Sequence, residues 1–160
     1  MKIVAQPLTA HAFAPFGDVL EARGLPDRLI NQGKCGRYHD LAQMDHHGGR
    51  AGVSLFDAEP RSLPYRLEMV ERHPDGAQCF VPMTENPFLV IVAPDTGGGP
   101  GDPIAFLTAP HQAVNYHRGT WHGVLTPLHA PGLFAVIDRI GPGANLEEHW
   151  FASPHEVVAG

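Results

Sequence analysis

Eight consecutive positions, Asn115-Tyr116-His117-Arg118-Gly119-Thr120-Trp121-His122, carry two imidazoles, a guanidinium, an amide, a phenol and an indole. Imidazoles titrate near neutrality, so they can take and return protons or ligate a metal ion. A second polar cluster, Glu71-Arg72-His73-Pro74-Asp75-Gly76-Ala77-Gln78, runs into the apolar stretch Cys79-Phe80-Val81-Pro82-Met83. Two such clusters, each joined to an apolar stretch, indicate one shared pocket.

The flanks Ala113-Val114 and Gly123-Val124-Leu125 read as strand, with Arg118-Gly119 as a turn between strands. His117 and His122 would then sit on adjacent strands facing one cavity. Glu71-x-His73 followed by Gln78, with Gly119-x-x-His122 later, imitates the two metal-binding clusters of cupin barrels. It departs from them in having Glu71 for the first histidine and Gln78 for the carboxylate. The set Glu71, His73, Gln78 and His122 offers nitrogen and oxygen donors suited to a first-row divalent ion. Glu71 and Gln78 serving only as hydrogen-bonding groups is the alternative. Arg72 and Arg139 lie at strand ends, and either could hold a carboxylate through two parallel bonds. Arg139 could equally form a structural ion pair with Asp138. Arg37-Tyr38-His39-Asp40 reads as a loop closing the pocket or as a solvated turn. His46-His47 beside Gly48-Gly49 reads as solvated loop.

The elements that must position these residues are short. Glycine (18) and proline (16) punctuate brief apolar runs, which argues for many strands rather than long helices. Strands are expected at Gly52–Phe56, Leu67–His73, Ala77–Val81, Phe88–Ala93, Ile104–Leu107, Ala113–His117, His122–Leu125 and Leu133–Arg139. Phe88–Ala93 is apolar throughout and should lie centrally. Thr9 could cap a short helix through Ala10–Ala14, and Asn145–Trp150 could form another helical turn. Residues 21–50 have no pattern and read as loop. Gly97-Gly98-Gly99 lacks the Gly-Lys-Ser/Thr ending of a phosphate cradle. The expected fold is all-β, a cupin-like jelly-roll barrel with a few short helices.

Composition narrows the function classes. At 160 residues the chain reads as one domain, able to bury about 70% of its unfolded surface without a disulfide or structural metal. A net charge of −6 with no basic run argues against nucleic acid and anionic membrane. No apolar stretch approaches the ~20 residues of a membrane helix, and no signal peptide is evident. Cys35 and Cys79 show no metal spacing and fit a reducing compartment, so the cytoplasm is expected.

Arg37-Tyr38-His39-Asp40-Leu41, Glu71-Arg72-His73-Pro74, Gln78, Phe80-Val81-Pro82-Met83, Asn115-Tyr116-His117-Arg118, Trp121-His122 and Ile137-Asp138-Arg139, in this order and spacing, resemble the ureidoglycolate lyase family of allantoin catabolism. Pro7-Leu8 and Phe16-Gly17-Asp18-Val19 share the resemblance. It implies a cupin-like barrel, a homodimer, and cleavage of (S)-ureidoglycolate to glyoxylate and urea. It also implies a divalent metal, nickel by association with the family, and no organic cofactor. The expected site then has His117 and His122 as acid and base with His73 in reserve. Arg72 or Arg139 would hold the carboxylate, and Asn115, Tyr116 and Gln78 would bond the ureido group. His73, Gln78 and His122 would hold the metal. Two other functions fit the same residues: a metal-dependent amidohydrolase releasing ammonia, and a non-catalytic cupin binding a small carboxylic acid.

Overall fold

The computed structural model describes residues 1–160. Its elements are β1 (Lys2–Val4), β2 (Gln6–Pro7), α1 (Ala10–Phe13), β3 (Gly17–Leu20), β4 (Arg28–Ile30), β5 (Cys35–Arg37), β6 (Arg50–Asp57) and β7 (Tyr65–Arg72). They continue with β8 (Gln78–Pro82), β9 (Phe88–Ala93), β10 (Ile104–Leu107), β11 (Ala113–Tyr116), β12 (Trp121–His122), β13 (Thr126–Pro127), β14 (Leu133–Ile140) and β15 (Glu147–Val158). One sheet has the order β1-β15-β7-β12-β9-β10-β2, with β13 beside β9; the facing sheet has the order β3-β11-β8-β14-β6. Together they form the cupin-like barrel. The pair β4-β5 stands as a separate two-stranded arm.

Alternation along the strands builds two cores. Phe88, Val90 and Val92 of β9 meet Phe80, Val114, Tyr116, Phe134 and Val136 between the sheets. Leu89, Ile91 and Ala93 face the other way, and pack with Leu67, Val70, Trp121 and Val157 beneath the terminal segments. All six residues of β9 are therefore buried, which is why that stretch reads as apolar throughout. Each such aliphatic or phenylalanine side chain contributes roughly 1.5–3 kcal/mol on burial.

α1 forms where expected, with Thr9 Oγ1 accepting from the Ala12 amide at 3.2 Å. Three expectations are corrected. Asn145–Trp150 is not helical: Glu147 begins a 12-residue strand paired along β7, with a register shift between Trp150 and His155. Residues 21–50 contain the β4-β5 arm. The chain around Arg118-Gly119 does not turn between paired neighbours. β11 bonds β3 and β8 in one sheet, whereas β12 bonds β7 and β9 in the other. Gly119 makes this crossing at φ +79°, and its amide donates to the His73 carbonyl at 2.9 Å.

Candidate active site

Register decides which side chains meet inside the barrel. Glu71 of β7 lies opposite His122 of β12 on one flank and Glu148 of β15 on the other. On the facing sheet Tyr116 lies opposite Gln78. His73 follows the end of β7, just before the turn that leads into β8.

These residues converge. Donor atoms of Glu71, His73 and His122 all lie within 4.8 Å of one another. The His73 and His122 rings are 5.2 Å apart, and Tyr116 stacks on His122. Each imidazole is held from behind. His122 Nδ1–H donates to the Gly123 carbonyl at 3.0 Å, and His73 Nδ1–H donates to the Asn145 carbonyl at 2.8 Å. Asn145 is itself fixed, its Oδ1 accepting from the Asp75 amide at 2.7 Å. Outer carbonyl partners of this kind orient metal-ligating histidines. Gln78 Nε2 donates to Asp138 Oδ2 at 3.3 Å, which turns Gln78 Oε1 toward His73 Nε2, 3.1 Å away.

The donor set fits a divalent cation. His122 Nε2 is buried and has no hydrogen-bond partner. Burial, aided by the charge of His73, pushes the His122 imidazolium down to about 3, so the ring is neutral and Nε2 presents a lone pair. Burial also raises the Glu71 carboxyl; His73 opposes that shift and Glu148 adds to it. A cation among these groups would satisfy His122 Nε2 and offset the clustered carboxylates. Burial, with the nearby Glu71 charge, raises the Tyr116 phenol well above its ordinary value, so its hydroxyl remains protonated and able to donate.

The other expected site residues lie elsewhere. His117 is behind the β11 wall, with its Nε2 3.0 Å from Asp18 Oδ2. Asn115 Nδ2 donates to that same oxygen at 3.0 Å and to the Gln43 carbonyl at 3.1 Å. Desolvation works to raise the Asp18 carboxyl, but hydrogen bonds from Asn115, Gln43 and His117 hold it below its usual value. Thus His117 and Asn115 form a second cluster, and His117 does not share the cavity of His122. Arg72 points outward. Its Nε donates to Glu147 at 2.6 Å, its NH1 to Asp95 at 2.9 Å, and its guanidinium sits 4.5 Å from the Trp121 ring centroid. It lines a surface hollow of about 430 Å³ with Asp95, His117, Arg118 and Thr120. Arg139 donates to the carbonyls of His47, Gly48 and Pro142. It makes no pair with Asp138, which faces Gln78.

Sequence reasoning missed Asp18, Asn145 and Glu148. Asp18 contacts His117 across 99 positions, and no local spacing signals that. Glu148 was hidden by reading its segment as helix, and only the pairing of β15 with β7 places it beside Glu71.

An inward-facing histidine and carboxylate cluster in a jelly-roll barrel defines a cupin-type site. Comparison with known proteins then specifies the kind. The family model for ureidoglycolate lyase matches residues 1–158. The chain is 60% identical to the ureidoglycolate lyase of Rhodobacter capsulatus over 149 residues, covering 92% of each chain. It is 55% identical to ureidoglycolate lyase 2 of Rhizobium meliloti over 154 residues, 95% of this chain and 94% of that one. It is 54% identical to the ureidoglycolate lyase of Chelativorans sp. over 158 residues, 98% and 96% of the two chains. The chain belongs to the ureidoglycolate lyase family, and it is an enzyme of the lyase class.

Proposed function

We propose that this protein cleaves ureidoglycolate into glyoxylate and urea within the barrel, at Glu71, His73, Gln78 and His122. The observation carrying the reading is the convergence of these four donor groups, with both imidazoles and the Gln78 amide fixed from behind. They would hold a first-row divalent ion, nickel being the family's association. Bound there, the ion would polarise the hydroxyl and carboxylate oxygens of the substrate.

The reaction consumes no water. One proton leaves the hydroxyl oxygen, the carbon–nitrogen bond breaks, and one proton reaches the departing urea nitrogen. A single well-placed group can take the first proton and return it to the nitrogen, a role worth typically 10²–10⁴-fold. Glu148, opposite Glu71 on the same face of the sheet, is the carboxylate available for this exchange. The Tyr116 hydroxyl, kept protonated, donates to the ureido oxygen. His117 and Asn115 act through the β11 wall, by fixing the strand that carries Tyr116. Arg72 and Arg139 are engaged with carboxylates and carbonyls, so neither is free to receive the substrate carboxylate.

The test is product analysis of purified protein supplied with ureidoglycolate, with and without chelator. Urea and glyoxylate in equal amounts are expected. Ammonia in place of urea would replace the lyase with an amidohydrolase, and no turnover with tight binding would leave a binding protein.

A further inference from the structure

The mouth of the barrel is acidic. Glu71 and Glu148 face each other across paired strands, Asp138 stands behind Gln78, and no lysine or arginine pairs with any of the three. A carboxylate substrate entering this cleft requires a cation beyond the metal, because an unpaired buried carboxylate is costly. Apart from Arg50, the arginines of one subunit's barrel that make ion pairs or hold carbonyls are committed elsewhere. Arg66 pairs with Glu68, Arg72 with Asp95 and Glu147, and Arg118 with Asp45, while Arg139 holds three carbonyls.

The β4-β5 arm has the opposite character. Residues 23–37 carry Arg23, Arg28, Lys34 and Arg37 against only Asp27, while the rest of the chain holds sixteen of its seventeen carboxylates. Every residue from Asp27 to Arg37 is exposed, including Leu29 at 67%. Its strands bond only each other. A lone two-stranded hairpin is marginal in water, so such an arm gains most of its order from a surface it docks on. Arg28 lies directly opposite Arg37, and neither meets a carboxylate. Like charges placed so repel one another; an anion between them reverses the sign and would be gripped from two sides.

We propose that the arm acts across subunits. It docks at the acidic barrel mouth of a second copy of this chain, where Arg37, with Arg28 beside it, holds the carboxylate of the substrate. Charge complementarity selects the occupant, a basic arm against a mouth lined by Glu71, Glu148 and Asp138. The inference rests on the lyase reading for the identity of the carboxylate but not for the docking. Arg50 is the competitor within one subunit. It lies on the same face of β6 as Gly52, the partner of Asp138, and donates only to the Ala51 carbonyl.

Two experiments test the arm. In the first, an Arg37→Ala copy and a Glu71→Gln copy, differently tagged, are co-expressed and the mixed dimer is isolated. Two-fold symmetry gives the mixed dimer one site with both an intact cluster and an intact arm, so about half the wild-type rate should return. The Arg37→Ala parent should remain about 10- to 100-fold below wild type, the range expected for losing a charge-assisted contact, and the Glu71→Gln parent, which lacks an intact cluster, should fall at least as far. Arg37→Ala should act chiefly through KM, and Arg37→Lys should recover part of it. A mixed dimer no more active than its parents would overturn the proposal, as would an Arg50→Ala variant that alone raises KM. In the second, exposed Cys35 is paired with a Leu146→Cys substitution at the mouth, while Cys79 is buried and does not compete. A short bis-maleimide should join two chains on a denaturing gel. Cross-linking within one chain, or none, would overturn the docking. The cross-link needs no turnover, so it stands or falls separately from the lyase reading.

Discussion

Tyr116 lies flat against His122, with ring centroids 4.3 Å apart and planes within 4°. The two residues belong to opposite sheets, so this contact closes the barrel at the site. It also sets the orientation of His122, whose Nδ1 is already held by Gly123. Tyr116→Phe keeps the stack and removes only the hydroxyl. It should fold normally and lose about 2- to 10-fold in kcat/KM, the net value of one hydrogen bond. Tyr116→Ala opens a cavity instead and should cost about 3–5 kcal/mol of stability. Urea-release kinetics with parallel denaturant titrations separates the two, and an unimpaired Tyr116→Phe would remove the hydroxyl from the mechanism.

Metal binding should appear as stability. A ligand bound only by the native state adds about 2.7 kcal/mol at a hundredfold excess over its Kd. Nickel, or another first-row divalent ion, should raise the melting temperature of chelator-treated protein. Glu71→Gln and His73→Ala should abolish the rise. Failure of every ion from manganese to zinc to shift the wild type would remove the metal from the site.

Acid should destabilise the metal-free protein through His122. Its folded value, about 3, lies below the ordinary 6.5, so between these values the unfolded chain binds more protons than the native one. Stability is then fully present above about 6.5 and falls as pH drops toward 3, by on the order of several kcal/mol at ~1.4 kcal/mol per unit. Glu71 has the opposite sign. Its carboxyl is raised, so ionising it costs stability as pH rises, and Glu71→Gln should stabilise the metal-free protein at neutral pH. Denaturant titrations across pH check both; a flat acid limb would mean that His122 is solvated.

The position of Asp18 depends on a glycine. A Cβ on Gly17 would lie 1.9 Å from the Asn115 carbonyl oxygen, within the β3-β11 pair that brings Asp18 to His117. Gly17→Ala should therefore separate the strands and cost about 1–3 kcal/mol, as overpacking does. It should also break the Asp18–His117 contact, which would appear as a change in the NMR signals of the His117 ring. An unchanged His117 signal would show that the pair survives without the close approach.

Much of this was legible in the sequence because it is local. Phe88–Ala93 is buried on both faces and reads as an apolar run. The spacing of Glu71, His73 and Gln78, with His122 after Gly119, already marked the inward cluster. What did not read locally was decided by pairing. Tyr116 and His117 are neighbours, but alternation sends one into the barrel and the other behind it. Nothing in the segment itself says which. β15 begins with Glu147, Glu148 and His149, whose polarity conceals a strand, and only its partner β7 gives them faces. The same alternation separates Arg72 from Glu71 and His73.

Arg72 is where strand geometry and motif reading point to different experiments. Read from its place beside His73, it would anchor the substrate carboxylate, and Arg72→Ala would strongly weaken substrate use while leaving the fold intact. Read from its contacts, it joins Asp95 in the Pro94–Pro103 loop to Glu147 at the start of β15, while covering Trp121. Asp95 and Glu147 remain about half exposed, at 47% and 49%, so removing the arginine strands no buried charge. Exposed ion pairs contribute 0–1 kcal/mol each and a cation–π contact about 0.5–1, so Arg72→Ala should cost about 1–2 kcal/mol. The cost should shrink in high salt. Because Glu147 adjoins Glu148, a small fall in kcat is expected, with KM nearly unchanged. Arg72→Lys keeps one ion pair and loses the fork, so it should fall between the two. Melting curves at two salt concentrations and a KM–kcat comparison decide it. A large rise in KM with unaltered stability would mean that Arg72 leaves both carboxylates to grip the substrate, and would return the anchor to the same subunit.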